Sequence, residues 1–593
     1  MNWTYWTRGI ANGAAGLLLG ALTLTAAGQG APPATASHAN AQDWWKNAVL
    51  YEIYPRSFQD SNGDGVGDLK GISQRMDYLK DLGVDAIWLT PVYPSPQADF
   101  GYDISDYENI DPKYGTLADF DQLIAAANKR HIRVIMDMVM NHTSDEHKWF
   151  QQSRASRENP YRDWYMWRDG KGETATDPGQ PPNNWQSAFG HSAWQWDEKT
   201  RQYYYHKFYV RQPDLNWDNP KVHEAFKEIV RFWLKRGVAG FRFDAITTLF
   251  EDPKLADEGA VKDKDGKPLM NAFGEPVLDN SKTDNLPGVH PVMQEMRGVF
   301  DEFGSGGFPG TRLLIGETYV PNIVELAKQY GPPGKPEFHL PMDTQLAFIN
   351  KLDVAAFRGK LVDVETQIGA HTPLLLFDNH DNPRMDARYG DGVHDTEIER
   401  ALAAVLFASR GASLFYYGDE IGMKTTPPAR KEDVKDPVGV TGWPKEKGRD
   451  GERTPMQWDV RPNAGFTDQF SKPWLPVPAD ARAANVEVEK MNPNSLFAWY
   501  QRLIRLKKTN PALALGDETM LDTTNSRVLS WKRTAAGSPS VVVSVNFTAE
   551  PQTVNLGAAG KLRTLLKSPG GADASALDQI VLAPFGVFIG EVQ

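Results

Sequence analysis

The chain has 593 residues, a formal net charge of −12 and no cysteine. That length exceeds a single ordinary core, so a large domain with accessory domains is expected. The acidic balance and the lack of a concentrated basic stretch argue against nucleic acid as a partner, and the missing cysteines exclude disulfides and cysteine-linked lipid.

At the N-terminus, Arg8 precedes a mostly apolar run, Ala11 to Ala27, and then small residues containing Ala34-Thr35-Ala36. This pattern reads as a signal peptide with an Ala-x-Ala cleavage site, so residues 1–41 are expected to be a signal and short linker. A spanning helix needs ~20 apolar residues. The run is shorter and rich in Gly and Ala, so an exported protein, periplasmic or secreted, without stable membrane insertion after cleavage is expected.

The first strand is placed at Val49 to Pro55. Directly after it, oxygen-bearing residues recur at Asp60, Asn62, Asp64 and Asp68, with Gly65 at the turn and Val66 offering a carbonyl. The spacing matches the first nine positions of an EF-hand loop. Position twelve is Gly71 rather than Glu, which excludes a true EF-hand and leaves a metal-free glycine-rich turn as the alternative.

Next come a helix-like stretch, Leu117 to Lys129, and an apolar run, Arg133 to His142, that turns polar at Asp137, Asn141 and His142. Residues 144–213 are rich in Trp, Tyr, Asn and Pro and too long for an ordinary connection, so a small lobe is expected. A second helix-like stretch, Val222 to Lys235, leads to Gly240-Phe241-Arg242-Phe243-Asp244. In a strand, Arg242 and Asp244 share a face. An adjacent arginine favours the ionised carboxylate, although a purely structural ion pair has the same form.

Arg312 to Thr318 runs apolar into Glu317, and Leu374 to Asp381 runs apolar into His380 and Asp381. Such continuous runs suit strands buried on both faces of a parallel sheet. Their alternation with helices such as Ile398 to Ala408 argues for repeated strand-helix units. In a barrel of eight such units the strand ends converge on one face, so these carboxylates would form one acidic pocket. After a last helix near Leu496 to Lys507, short apolar stretches at Ser540 to Asn546 and Gln579 to Leu582 read as β-sandwich strands.

The segments Asp137 to His142, Gly240 to Asp244, Gly316-Glu317-Thr318 and Asn379-His380-Asp381 resemble the ordered motifs of glycoside hydrolase family 13, the alpha-amylase family. Gln212 to Asn216, Pro182 to Trp185, Gly418 to Gly422 and Arg453 to Asp459 narrow the resemblance toward its exo-acting alpha-glucosidases. It covers roughly residues 43 to 510 in order. Phe243 departs from the more usual aliphatic residue and is expected to face away from the pocket.

The resemblance implies an α/β fold, a (β/α)8 TIM barrel. Domain A would comprise residues 42–143 and 214–512, domain B residues 144–213 after the third strand, and a C-terminal antiparallel β-sandwich residues 513–593. It assigns Asp244 as nucleophile, Glu317 as general acid and then base, and Asp381 as the residue that holds the sugar hydroxyls, with retention of anomeric configuration. Asp103, His142, Phe189, Arg242, His380 and Arg453 would grip the terminal glucose, and Asp137 would orient Arg242. The 18 Trp and 20 Tyr offer faces for sugar stacking, with amphipathic packing as the default use.

Similar loops in related alpha-glucosidases hold structural Ca2+ or Mg2+, which implies an ion at Asp60, Asn62, Asp64, Val66 and Asp68 and no organic cofactor. In such enzymes valine directly after the nucleophile accompanies α-1,6 cleavage, whereas alanine or threonine accompanies α-1,4. Ala245 therefore points to maltose-like substrates. A transglucosylase or isomerase of the same family, of the sucrose isomerase or trehalose synthase kind, uses the same trio. A non-catalytic binding member would have lost it.

Overall fold

The computed structural model describes residues 43–174, 176–557 and 560–593. The expected signal and linker, residues 1–41, lie outside the described residues. Among those described, no helix is long and apolar enough to cross a membrane.

Eight parallel strands close a barrel: β1 (Val49–Ile53), β2 (Ala86–Leu89), β3 (Arg133–Val139), β4 (Gly240–Asp244), β5 (Leu313–Gly316), β6 (Leu340–Asp343), β7 (Leu374–Leu375) and β8 (Ala412–Tyr416). Closure comes from β1, which pairs with both β2 and β8. The two-residue period of each strand divides its side chains between two cores. Leu50, Trp88, Ile135, Ile315, Met342, Leu374 and Leu414 fill the barrel interior. Tyr51, Val134, Phe241, Phe243, Leu314 and Phe415 point outward into the layer under the helices. Phe243 packs on Phe300 at 5.9 Å, away from the pocket as expected. Glu52, Asp137, Arg242 and Asp244 have the parity of the inward set, so the polar residues continue the column that the apolar ones begin.

The helices start where their sequences provide caps. Thr116 and Asp119 form a reciprocal capping box at the start of Leu117–Asn128, and Asn219 with Pro220 at the first turn starts Pro220–Lys235. Both devices satisfy or remove amide donors that a helix start leaves unpaired.

Domain B folds as a three-stranded antiparallel sheet, Gln202–Tyr205 between Trp167–Arg168 and Trp194–Asp197, after a short helix, Lys148–Ser153. Trp185, Trp194 and Tyr205 form its own small core, so many of its aromatic residues serve packing. A second insertion was not anticipated. Residues 251–288, between β4 and the helix Val289–Asp301, form a chain of β-bridges and dock on domain B through Asn184 and Glu258.

After the helix Pro511–Leu515, a five-stranded antiparallel sheet (Asp517–Leu521, Val528–Thr534, Val541–Asn546, Val587–Val592, Leu562–Lys567) accompanies a two-stranded sheet, Gln552–Val554 with Ile580–Leu582. One apolar cluster, with Val554, Ile580, Leu582 and Phe588, joins the two sheets. Trp531 and Arg533 reach the other way and donate to the Ala408 carbonyl of a barrel helix, at 3.3 and 2.8 Å.

Candidate active site

Neighbouring strands β3, β4 and β5 bring three acidic side chains onto one guanidinium. Register sets Asp137 opposite Arg242, and Arg242 opposite Ile315. Arg242, fully buried, donates from Nη1 to Asp137 (3.0 Å) and to Asp244 Oδ1 (2.5 Å), and from Nη2 to Glu317 Oε1. The Ala245 amide donates to Glu317 Oε2 at 2.8 Å. The guanidinium also lies 4.8 Å from the Trp88 ring. Asp137 thus orients Arg242, as the sequence suggests.

The expectation that Arg242 simply keeps Asp244 ionised needs correction. Burial pushes the Asp244 carboxyl well above its ordinary value, Arg242 pulls it back, and Glu317 and Asp137 add to the rise. Burial likewise pushes Asp137 up to about 6 against the pull of Arg242. One positive charge is divided among Asp137, Asp244 and Glu317, so Arg242 does not by itself offset the burial of Asp244.

Asp381 follows the end of β7 and behaves differently. Its Oδ1 accepts from Arg449 Nη1 at 2.9 Å and Arg453 Nη2 at 2.7 Å, and His380 Nε2 lies 3.4 Å from its Oδ2. Burial raises this carboxyl, yet the charges around it outweigh burial and hold it well below the usual range. The charge of His380 is the largest of these, ahead of Arg449 and Arg453, but burial itself drives His380 toward the neutral form, which leaves the two arginines as the cations bonded to Asp381.

A narrow pocket opens over these groups, lined by Asp244, Ala245, Glu317, Asp381, Asp99, Tyr102, His142, Phe189, Phe208 and Arg449. Asp244, Glu317, Asp381, His142 and Phe189 therefore meet in one place. The His142 ring lies 5.3 Å from Phe208, and burial lowers its pKa to about 3, so it is a neutral imidazole. Arg242, His380 and Arg453 stand directly behind the wall. Arg453 donates to the His380 carbonyl (2.8 Å) as well as to Asp381, which makes it a support for that segment.

Asp103 is not in the pocket. Its carboxylate accepts from Ser95 Oγ and from the Ala98 and Asp99 amides, closing the loop on itself. The wall position belongs to Asp99, whose oxygens accept from Arg449 Nη2 (2.7 Å) and Gln212 Nε2 (3.1 Å). Sequence reasoning missed Asp99, Tyr102, Phe208 and Arg449. The first two flank Gly101, whose φ of +110° and close approach to the Pro91 carbonyl turn the chain between them; a carboxylate beside such a turn was the signal. Arg449 left no local signal, because its loop is placed by long-range pairing with Asp436 at 2.7 Å.

The loop after β1 winds through side-chain-to-amide bonds. Asp60 accepts the amides of Asn62, Gly63 and Gly65; Asn62 accepts that of Asp64, and Asp64 that of Val66. Asp68 holds Ser61 and caps the helix Leu69–Gln74 through Gly71. Gly65 has φ +87°, and a Cβ there would sit 2.1 Å from the Lys472 carbonyl. Among the described residues no three Asp, Glu, His or Cys side chains converge as a cation cage. An ion at this loop would need the Asn62 side-chain oxygen and the Val66 carbonyl beside the carboxylates. That all-oxygen set fits Ca2+ or Mg2+ rather than a softer metal.

Comparison with known proteins agrees with this geometry. Residues 52–516 match the family model described as alpha amylase, catalytic domain. A probable alpha-glucosidase of Rhizobium meliloti is 40% identical over 522 residues, 87% of this chain and 91% of that protein. An oligo-1,6-glucosidase of Parageobacillus thermoglucosidasius is 39% identical over 547 residues, 86% and 92% of the two chains. The crystal structure of the alpha-glucosyl transfer enzyme XgtA superposes with a TM-score of 0.84 at 39% identity, covering 93% of this chain and 99% of that one. A barrel whose strand ends carry Asp244, Glu317 and Asp381, with this family match over most of its length, belongs to the alpha-amylase family, glycoside hydrolase family 13.

Proposed function

We propose that the protein is a retaining exo-alpha-glucosidase that hydrolyses terminal α-1,4 bonds of maltose and short malto-oligosaccharides. The observation that carries this reading is the sharing of the Arg242 guanidinium by Asp244 and Glu317, which brings together the two carboxyl groups that a double displacement uses. Asp244 attacks the anomeric carbon while Glu317 gives its proton to the departing glycosidic oxygen. The C1–O bond to the leaving sugar breaks as the C1–O bond to Asp244 forms. Glu317, now a carboxylate, takes a proton from water, and the water oxygen displaces Asp244 with net retention.

Asp381, kept ionised by its arginines, accepts hydrogen bonds from the sugar hydroxyls. The Asp99–Arg449 pair, 2.7 Å apart in the pocket wall, supports exo action by bracing that side of the pocket. Ala245, at the pocket and 7% exposed, supports α-1,4 preference through the family tendency described above. The same proposal places a structural divalent cation at the Asp60–Asp68 loop and the mature enzyme outside the cytoplasm.

Similarity to a glucosyl transfer enzyme favours one second reading, in which a sugar hydroxyl replaces water at the covalent intermediate. Product analysis after incubation with maltose, isomaltose, sucrose and trehalose separates the two. Free glucose from maltose supports hydrolysis, whereas rearranged disaccharides or longer oligosaccharides as main products would replace it with transfer.

A further inference from the structure

Glu52 lies in β1 with the parity of Leu50, so its side chain enters the barrel interior, where it is 0% exposed. Its Oε1 is 2.5 Å from His380 Nδ1 and 3.4 Å from the His380 amide nitrogen. Among the described residues its Oε2 has no hydrogen-bond partner. Across the imidazole, His380 Nε2 is 2.7 Å from Tyr102 Oη and 3.4 Å from Asp381 Oδ2, and Tyr102 Oη is 3.0 Å from Asp137 Oδ2. Stacking on Tyr102, at 5.3 Å between ring centroids and 8° between planes, fixes the ring's orientation. Glu52, His380, Tyr102, Asp137 and Arg242 therefore form one chain from the barrel interior to the two catalytic carboxyl groups.

The protons of this chain follow by elimination. An ionised Glu52 would leave a charged oxygen unpaired in the barrel interior, the costliest arrangement. A proton on Oε2 would leave an O–H donor unpaired. A proton on Oε1 leaves only a neutral carbonyl oxygen unpaired and is donated to His380 Nδ1. The neutral imidazole then carries its own proton on Nε2, which donates to Tyr102 Oη, and the phenol proton goes to Asp137. In the reverse arrangement Tyr102 gives its proton to His380, Asp137 loses that donor, and an Nε2 lone pair faces the Asp381 carboxylate. Burial raises the Glu52 carboxyl well above its usual range despite Arg242, which acts in the same direction.

We infer that Glu52 is a positioning residue: as a neutral acid it donates to His380 Nδ1 and so fixes the Nε2–H tautomer on the side of Tyr102, Asp381 and the bound sugar. It acts through His380 and does not touch substrate. The inference rests on the glucosidase reading, because the tautomer affects turnover only if a sugar occupies the space beside Asp381.

Two substitutions separate a neutral donor from a carboxylate. Glu52→Gln retains shape and an N–H donor to Nδ1, whereas Glu52→Met retains size and removes it. The expected result is rescue by the glutamine, with kcat on maltose within about threefold of the parent, and at least about a thirtyfold loss of kcat in the methionine variant with KM changed less than about threefold. An equal loss in both variants would show that the charge is required and would overturn the inference. Near-parental kcat in both would overturn it as well. If Glu52→Met does not fold, the parent protein decides the matter. Long-range 1H–15N spectra of histidine-labelled enzyme, with the His380 signal assigned by its absence in His380→Gln, are expected to show a bare Nδ1 and a protonated Nε2; the opposite tautomer refutes the inference. Those spectra need no turnover, so a protein with the expected tautomer and no glucosidase activity would refute the substrate reading alone.

Discussion

Asp99 and Asp103 stand on one turn and have opposite fates, because the side chain that the loop uses to close itself is unavailable to a ligand. Asp103 accepts from Ser95 Oγ and the Ala98 and Asp99 amides while 0% exposed. Replacing it with alanine orphans these buried donors and is expected to cost about 1–3 kcal/mol of stability in chemical denaturation. Asp99→Ala is expected instead to raise KM for maltose by at least about tenfold, a loss of roughly 1.4 kcal/mol or more of substrate binding, with a smaller change in melting temperature. The trio Asp244, Glu317 and Asp381 was legible because each sits where an apolar strand run stops. Choosing between Asp99 and Asp103 required knowing which carboxylate satisfies the backbone, a question of loop geometry that spacing does not encode. Ala245 makes the second residue-scale case, with φ +46° directly after Asp244. A β-branched side chain is disfavoured in that region. Ala245→Val is therefore expected to lower the melting temperature, consistent with ~1–3 kcal/mol of backbone strain, while raising the isomaltose-to-maltose ratio of kcat/KM by about tenfold. An unchanged ratio would remove Ala245 as a linkage determinant.

Among the elements, those with strong period or caps were readable. β1, β3, β4, β5 and β7 show as apolar runs, and Leu117–Asn128 starts at a capping box. β2 spans four residues and β6 contains Pro341, so neither announces itself in the chain. The insertion of residues 251–288 escaped notice because it is built from isolated bridges rather than periodic strands. The loop after β1 carries the prediction proper to this scale. If a divalent cation braces it, a chelator should lower the melting temperature, added Ca2+ or Mg2+ should restore it, and Asp64→Ala should abolish the restoration while kcat at low temperature stays near that of the parent. A melting temperature indifferent to chelator and cation would assign the loop to its side-chain-to-amide bonds alone.

For the whole molecule, the barrel and the C-terminal domain meet over buried ionisable groups. The Arg410 amide donates to Glu518 at 2.8 Å, Lys507 donates to the Gly411 carbonyl at 2.7 Å, and Arg533 lies 4.0 Å from Glu518. Burial raises Glu518 to about 7 and outweighs the attraction of Arg533. Burial also lowers Lys507, again to about 7. A carboxyl whose folded pKa lies above its unfolded value contributes stability below the unfolded pKa and loses it as pH rises through the folded one. For Glu518 that window runs from about 4.5 to about 7. Lys507 has the opposite sign, losing stability as pH falls through about 7. Glu518→Gln removes only the first effect and can still accept from Arg410. Its melting temperature relative to the parent should therefore rise between pH 5 and pH 8, and a difference independent of pH would contradict the burial argument.

Everything about the pocket turns on Asp244 being the group that bonds to the sugar. Incubation with 5-fluoro-α-glucosyl fluoride, whose ring fluorine slows both displacements while its fluoride leaving group keeps the first fast enough for the intermediate to accumulate, followed by proteolysis and mass spectrometry, tests this most directly. The geometry predicts one fluoroglucosyl group per chain, attached to Asp244. Attachment to Glu317 or Asp381, or release of the inverted anomer without any labelled peptide, would contradict it.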